Sequence, residues 1–242
     1  MNPVSKTLLI AICLAPIAFT ASAQKFFDNS PADKLISFGV RIGVNTSDNT
    51  IKEDAFNLWN KNSWGTGFDA GVVADINLRN YISIQPGIFF QSRSGDYTYA
   101  SRYWVPVIGD DGQTKNEGED VIQYGHTRNY NLYVPVMASV RFNIGSKVRW
   151  MVDFGPYFNF KLGSSGNASL YDLVYRDEEF ALKETKIERR GFDFGFKMGT
   201  GFKFFRHYYV GIHYMGGTMS PWKNDGLGGK NKAWTFTAGY DF

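Results

Sequence analysis

RGFDFGFKMGTGFKF, the stretch Arg190–Phe204, alternates apolar residues with glycine and charged residues along most of its length. Successive side chains of a β-strand point to opposite faces, so this stretch would carry its phenylalanines on one face and Asp193 and Lys197 on the other. An α-helix would instead spread the same apolar residues around its whole axis. The stretch therefore predicts a β-strand with one strongly apolar face.

The same alternation recurs along the chain, and no apolar run after the N-terminal region is long enough for a transmembrane helix. It appears in seven further stretches, Ile36–Asn45, Thr66–Leu78, Ile82–Arg93, Asn131–Phe142, Val148–Leu162, Tyr208–Thr218 and Lys232–Phe242. Together these stretches predict an all-β chain of eight strands.

Strand length favours a transmembrane barrel over a soluble sandwich or lipocalin, in which the apolar faces would turn inward. Each stretch runs for about nine to fourteen residues, the length that a tilted strand needs to cross a bilayer. Strands of soluble folds usually have about five or six residues.

The connections between strands alternate strictly between short and long, as periplasmic turns and external loops do in outer-membrane barrels. The short ones are Arg79-Asn80, Asn143–Lys147 and Phe205–His207, and the long ones are Thr46–Gly65, Ser94–Asn129, Gly163–Arg189 and Ser220–Asn231. We therefore predict an eight-stranded antiparallel up-and-down transmembrane β-barrel, with both termini in the periplasm and the first strand paired with the last.

The N-terminus has the features of a secretory signal peptide. Lys6 precedes the short apolar run Thr7–Phe19, and Ala21-Ser22-Ala23 fits a cleavage site. We expect residues 1–23 to be removed and residues 24–242 to form the barrel domain in the cell outer membrane. Because Cys13 lies in this leader, the mature chain would contain no cysteine for a disulfide or a metal site.

The lumen face of the predicted barrel carries charges of both signs, which would form a structural network. Its predicted members are Arg41, Asp69, Asp75, Arg141, Arg149, Asp153, Asp193 and Lys197. A selective pore more naturally has a constriction ring of one sign. Charges of both signs in a lumen that is only wide enough for side chains favour a closed, internally paired interior.

The sequence contains no pattern that predicts a cofactor or a metal. It has no phosphate-binding loop, no dinucleotide fingerprint and no zinc-type cluster. The formal net charge is only +3, and no run of basic residues suggests nucleic acid. We therefore expect no cofactor, no metal and no nucleic-acid partner.

Five short stretches resemble the PorT-type outer-membrane β-barrel family. They are Ile82–Gly87, Tyr133–Val136, Phe154–Tyr157, Phe192–Phe196 and Ala238–Phe242. Their series extends over nearly the whole mature chain. One departure is Tyr133, where the family pattern leads us to expect an acidic residue. The resemblance implies a small outer-membrane barrel, and the family's namesake is linked to protein secretion.

Our leading hypothesis is a non-enzymatic barrel that binds a partner or supports the envelope through its long external loops. These loops are rich in aromatic residues, which often anchor binding surfaces: Tyr97, Tyr99, Tyr103, Trp104, Tyr171 and Tyr175. The alternatives are a small channel for a hydrophobic solute, a secretion-associated barrel, and, least favoured, a lipid-modifying enzyme. The enzyme would use His213 as a base, with Ser139 and Asp193 on the same face.

The expected partners follow from this location. They are outer-membrane lipid, the barrel assembly machinery, and a protein or ligand at the external loops, and we expect the barrel to be a monomer. The alternating aromatic residues at the C-terminus, Phe236, Tyr240 and Phe242, would form the assembly signal.

Overall fold

The computed structural model of the chain describes twelve β-strands and no helix in residues 26–49, 52–53, 57–108, 112–167, 169–176, 179–186, 188–223 and 227–242. The predicted signal peptide and its cleavage site lie outside these residues. None of the described residues forms a helix with the length and apolar character to cross a membrane. The strands are β1 (Ile36–Asn49), β2 (Lys52–Glu53), β3 (Asn57–Arg79), β4 (Ile82–Ile108), β5 (Thr114–Asn143), β6 (Val148–Asn167), β7 (Ser169–Arg176), β8 (Glu179–Lys186), β9 (Phe192–Phe204), β10 (Tyr208–Gly217), β11 (Leu227–Gly228) and β12 (Asn231–Asp241).

Eight of the strands close into a barrel in the order β1-β12-β10-β9-β6-β5-β4-β3. Every neighbouring pair is antiparallel, and β1 pairs with β12 as predicted, from Gly39 opposite Asp241 to Asn49 opposite Asn231. This closure leaves no sheet edge exposed to lipid. The predicted fold class is confirmed.

The barrel is apolar outside and polar inside, the reverse of a soluble protein. On β1, Ile42 is 66% exposed while its neighbour Arg41 is 3% exposed. On β9, Phe196 is 43% exposed and Lys197 is 7% exposed. A continuous apolar exterior of this kind is stable only against lipid, so the exposed faces of the strands form the membrane-contacting surface.

The strands extend further than the alternating pattern predicts, by one residue at most at the short turns and by many more at the opposite end. Residues 94–108 continue β4 and residues 114–129 continue β5, as one long hairpin. Strands therefore occupy most of the described residues in the predicted long loops Thr46–Gly65, Ser94–Asn129 and Gly163–Arg189, and the strand ends predicted there were wrong. Outside the bilayer the backbone can stay paired without an apolar face, so the alternation that marks a membrane strand is absent there.

Smaller sheets complete this extracellular part, which we place opposite the short periplasmic turns. Strands β7 and β8 pair as a hairpin, and β2 pairs with β11. The six aromatic side chains predicted to anchor a partner lie outside the described part of the structure, although their backbone lies in β4 or β7.

The segment before β1, residues 26–35, lies across the periplasmic end and touches each of the three short turns. The amide N–H of Asn80 donates to the Ser30 carbonyl (3.3 Å), and that of Asn143 donates to the Phe26 carbonyl (3.1 Å). Arg206 pairs with Asp33 at 3.3 Å. This segment, which sequence alternation did not reveal, narrows the periplasmic mouth of the barrel.

Candidate functional site

The periplasmic half of the lumen contains a chain of ion pairs with alternating signs. Asp75 lies 3.1 Å from both Arg141 and Lys203. Lys203 also lies 2.5 Å from Asp241, and Asp241 lies 2.6 Å from Arg41. These five residues come from five different strands, so the pairs tie the wall of the barrel together across its interior. All five are buried.

The middle of the lumen is filled mainly by rings. Phe89, Tyr133 and Tyr157 form a series with centroid separations of 5.6 Å. The Lys197 ammonium lies 5.9 Å from the Phe89 centroid and 5.5 Å from the Tyr133 centroid, which is within cation–π range. The cavity left beside these side chains measures about 20 Å³, room for roughly one water molecule.

Two glycines make room for this packing. A Cβ atom at Gly199 would lie 2.4 Å from the His213 ring, and a Cβ atom at Gly211 would lie 2.4 Å from the Tyr209 hydroxyl. The glycines on the lumen face therefore let the inward rings approach the wall of the barrel.

His213 belongs to a compact buried cluster with Asp153 and Tyr209. Its Nε2 lies 3.2 Å from an Asp153 carboxylate oxygen and 3.2 Å from the Tyr209 hydroxyl. The Tyr209 hydroxyl also donates to Asp153 at 3.3 Å. Ser139 is buried opposite Asp153 in the β5–β6 ladder, and no hydrogen bond among the described residues joins it to His213. Asp153, rather than Asp193, is the carboxylate beside this histidine.

The remaining predicted network residues are absent from the ion pairs that the described residues form around Asp75. Asp69 accepts a hydrogen bond from Asn45 (3.1 Å), and Asp193 accepts from Asn231 (2.9 Å) near the extracellular end. Arg149 is half-buried at the start of β6, and no ion pair among the described residues includes it. The structure thus joins Arg41, Asp75 and Arg141 in one network of ion pairs, whereas Asp69 and Lys197 line the central cavity together with Arg41.

Sequence reasoning did not single out Tyr209 or Trp222. Tyr209 lies on the lumen side by the same alternation that places His213 there, and its ring lies 4.6 Å from the Arg41 guanidinium. Trp222 follows β10 and is fully buried between connections at the extracellular end. No pattern in the sequence marks it as an inward residue.

Comparisons with known proteins agree with this architecture. Residues 22–218 match the family described as outer membrane protein beta-barrel domain. No curated protein sequence matches the chain.

Among solved structures, the chain is similar to Ail, the attachment invasion locus protein of Yersinia pestis (16% identity, 86% of this chain and 100% of Ail, TM-score 0.37). It is also similar to OprG from Pseudomonas aeruginosa (11% identity, 90% and 99%, TM-score 0.44) and to Neisserial surface protein A (10% identity, 86% and 98%, TM-score 0.41). Likeness at this level carries no argument about function.

Proposed function

Because this chain belongs to the family of outer membrane protein β-barrel domains, we propose that it is a non-enzymatic barrel with a closed lumen that acts through its extracellular surface. The observation that carries the proposal is the filled interior. The central cavity of about 20 Å³ has no room for a solute. Below it, the ion pairs around Asp75 occupy the lumen, and residues 26–35 lie across the periplasmic mouth.

The position of His213 favours a binding function over a catalytic one. A lipid-modifying enzyme needs its base beside a nucleophile at a rim that substrate can reach. His213 is buried inside the barrel wall, and its Nε2 is engaged by Asp153 and Tyr209. This arrangement is typical of a histidine that forms part of a packed, hydrogen-bonded interior.

Several finer assignments belong to the same proposal. They are membership of the PorT-type group, cleavage after residue 23 to give a barrel domain of residues 24–242, and recognition of Phe236, Tyr240 and Phe242 by the barrel assembly machinery. We also propose that the barrel is a monomer. The location in the cell outer membrane follows from the family itself.

Conductance in planar lipid bilayers tests the closed lumen. The purified protein should give no stable, reproducible single-channel steps. Tyr133→Ala, which removes a ring from the centre of the lumen, provides a comparison with a less filled interior. Regular steps that survive repurification, and that change when Arg141 or Asp153 is neutralised, would contradict the proposal and favour a channel.

A further inference from the structure

The extracellular mouth of the barrel contains a much larger cavity than the lumen below it, with a volume of about 310 Å³. This volume falls in the range of small-molecule sites, about 300–1,000 Å³. The cavity is lined by Thr127, Asn129, Lys161, Ser164, Ser165, Gly166, Glu188, Arg189, Trp222 and Lys223. Thr127, Asn129 and Trp222 are buried and form its floor, whereas Ser164, Ser165 and Lys223 are exposed at its rim.

One wall of this cavity is a small hydrogen-bonded ladder between two connections. The N–H of Lys223 donates to the Glu188 carbonyl and the N–H of Arg190 donates to the Pro221 carbonyl, both at 2.8 Å. Between them, Arg189 and Trp222 form a β-bridge, and the Arg189 guanidinium lies 5.3 Å from the Trp222 ring centroid. The wall is therefore formed before any ligand arrives, which lowers the entropy cost of binding.

Cations outnumber carboxylates among the described residues that line the cavity. These cations are Lys161, Arg189 and Lys223, and the described acidic residue is Glu188, which lies 3.0 Å from Lys223. The Arg189 guanidinium also donates to the Asn231 amide oxygen at 2.7 Å. Burial lowers the pKa of Arg189 to about 10, so its guanidinium stays protonated at neutral pH. A concave site with excess positive charge concentrates anions.

The floor of the cavity holds a polar side chain that has no hydrogen-bond partner among the described residues. Asn129 is 1% exposed, and neither its amide nitrogen nor its amide oxygen has a hydrogen-bond partner in the described part of the chain. Leaving a buried amide unpaired costs free energy. A ligand hydroxyl can donate to the amide oxygen or accept from the amide nitrogen, and the hydroxyls of Thr127, Ser164 and Ser165 provide similar contacts.

From these observations we infer that the extracellular cavity binds a soluble sugar that carries an anionic group. The cations would pair with a carboxylate or phosphate, and Asn129 with the hydroxyl side chains would bind the ring hydroxyls. The lining faces the barrel axis rather than the lipid, so the ligand enters from the external solution and not as a lipid headgroup. This inference deepens the proposed function, on which it rests, by naming a ligand class for the extracellular surface.

Isothermal titration calorimetry of the purified barrel in detergent micelles tests the inference. The probes are glucuronate and glucose phosphate. The comparators are glucose, which has the ring hydroxyls without the anionic group, and acetate and inorganic phosphate, which have an anionic group without the sugar. At least one probe should bind in the millimolar range or more tightly, and every comparator should bind more weakly. No binding of either probe, or equal binding of glucose or of the matching free anion, would overturn the inference.

Two variants locate the site. Asn129→Leu and Lys161→Gln should each weaken probe binding by about tenfold or more, since each removes a buried or charged hydrogen-bonding partner. Lys230→Gln removes the same charge from an exposed position that does not line the cavity, and should bind as the wild type does. Heat-modifiable migration on gels checks that each variant is folded. Equal affinities in all three would place binding elsewhere and overturn the inference.

A competition experiment addresses the source of the ligand. Lipopolysaccharide in bilayer nanodiscs should not displace the soluble probe, and displacement would overturn the assignment of a soluble ligand. These measurements are independent of conductance. A barrel that stays closed but binds no sugar contradicts only this inference, whereas a conducting barrel contradicts the proposed function.

Discussion

Asp75 is the residue on which the ion pairs of the lower lumen converge. One of its carboxylate oxygens lies 3.1 Å from both Arg141 and Lys203, and the other accepts a hydrogen bond from Gln85 at 2.7 Å. Arg141 also donates to Asn77 and Ser83. The interior at this level is built mainly from paired charges and hydrogen bonds, so it is sensitive to the loss of one partner.

We predict that Asp75→Asn destabilises the barrel by about 3 kcal/mol, because two buried cations lose a compensating charge. The free energy of unfolding in urea, measured in lipid or detergent, is the readout. Asp33→Asn is the matched control, since it removes an exposed carboxylate paired with Arg206, and an exposed pair contributes about 0–1 kcal/mol. Equal effects of the two substitutions would contradict a stabilising role for the network.

The sequence predicts that these side chains lie in the lumen, but it does not predict which of them form ion pairs with one another. Alternation determines which face a residue occupies, and it puts Asp75 and Arg141 inside. Their strands, β3 and β5, are separated by β4, so the contact depends on the registers of two successive ladders. Local sequence does not encode those registers, and for the same reason it could not place Asp153 of β6 beside His213 of β10.

Among the elements, the membrane-spanning strands were the most predictable, because a strand that contacts lipid must keep an apolar residue at every second position. The pattern fails where the register shifts. Between Trp64 and Phe68, β3 slips against β4, and opposite this irregularity Ser92, Arg93 and Ser94 are buried consecutively. An added residue in one strand reverses the faces on which the following side chains lie. The sequence contains no signal that shows where this added residue occurs.

Strand β9 tests the assignment of faces directly. Phe196→Arg should destabilise the barrel by roughly 2–4 kcal/mol, because it places a charge in the hydrocarbon near mid-strand. Lys197→Arg, one residue further, keeps a cation beside the Phe89 and Tyr133 rings and should be tolerated much better. Urea unfolding in bilayers of defined composition provides the measurement, and equal tolerance of arginine at both positions would contradict the faces described for β9.

At the scale of the whole molecule, the two ends of the barrel differ in how much of their structure the sequence predicts. The periplasmic turns are short and lie where the alternation stops. The extracellular cavity combines residues of β5 and β6 with two connections that fold inward and meet at Arg189 and Trp222. Alternation predicts an inward Lys161, but the meeting of residues 188–191 with residues 221–223 is a tertiary contact without a local signal.

Closure of the whole barrel brings the C-terminus against the first strand. The N–H of Phe242 donates to the Phe38 carbonyl at 2.9 Å, and the Phe242 ring lies 5.5 Å from the Tyr240 ring. Phe236, Tyr240 and Phe242 all lie on the outer face. An exposed aromatic row at the last strand is accessible to an assembly factor until closure is complete.

We therefore predict that deleting Phe242 lowers the amount of folded barrel in the outer membrane, while the purified chain still refolds in detergent with nearly unchanged yield. Phe242 contributes one terminal hydrogen bond and a side chain that is 63% exposed, so its removal costs the folded barrel little. Phe38→Ala is the control, because Phe38 is equally exposed, 63%, on the same face but lies outside the C-terminal pattern. Quantitative gels of heat-modifiable protein from membranes and from refolding reactions separate recognition from stability. If the deletion and the control behave alike in cells, or if the deletion impairs refolding as much as assembly, the C-terminal row acts through stability rather than as a signal.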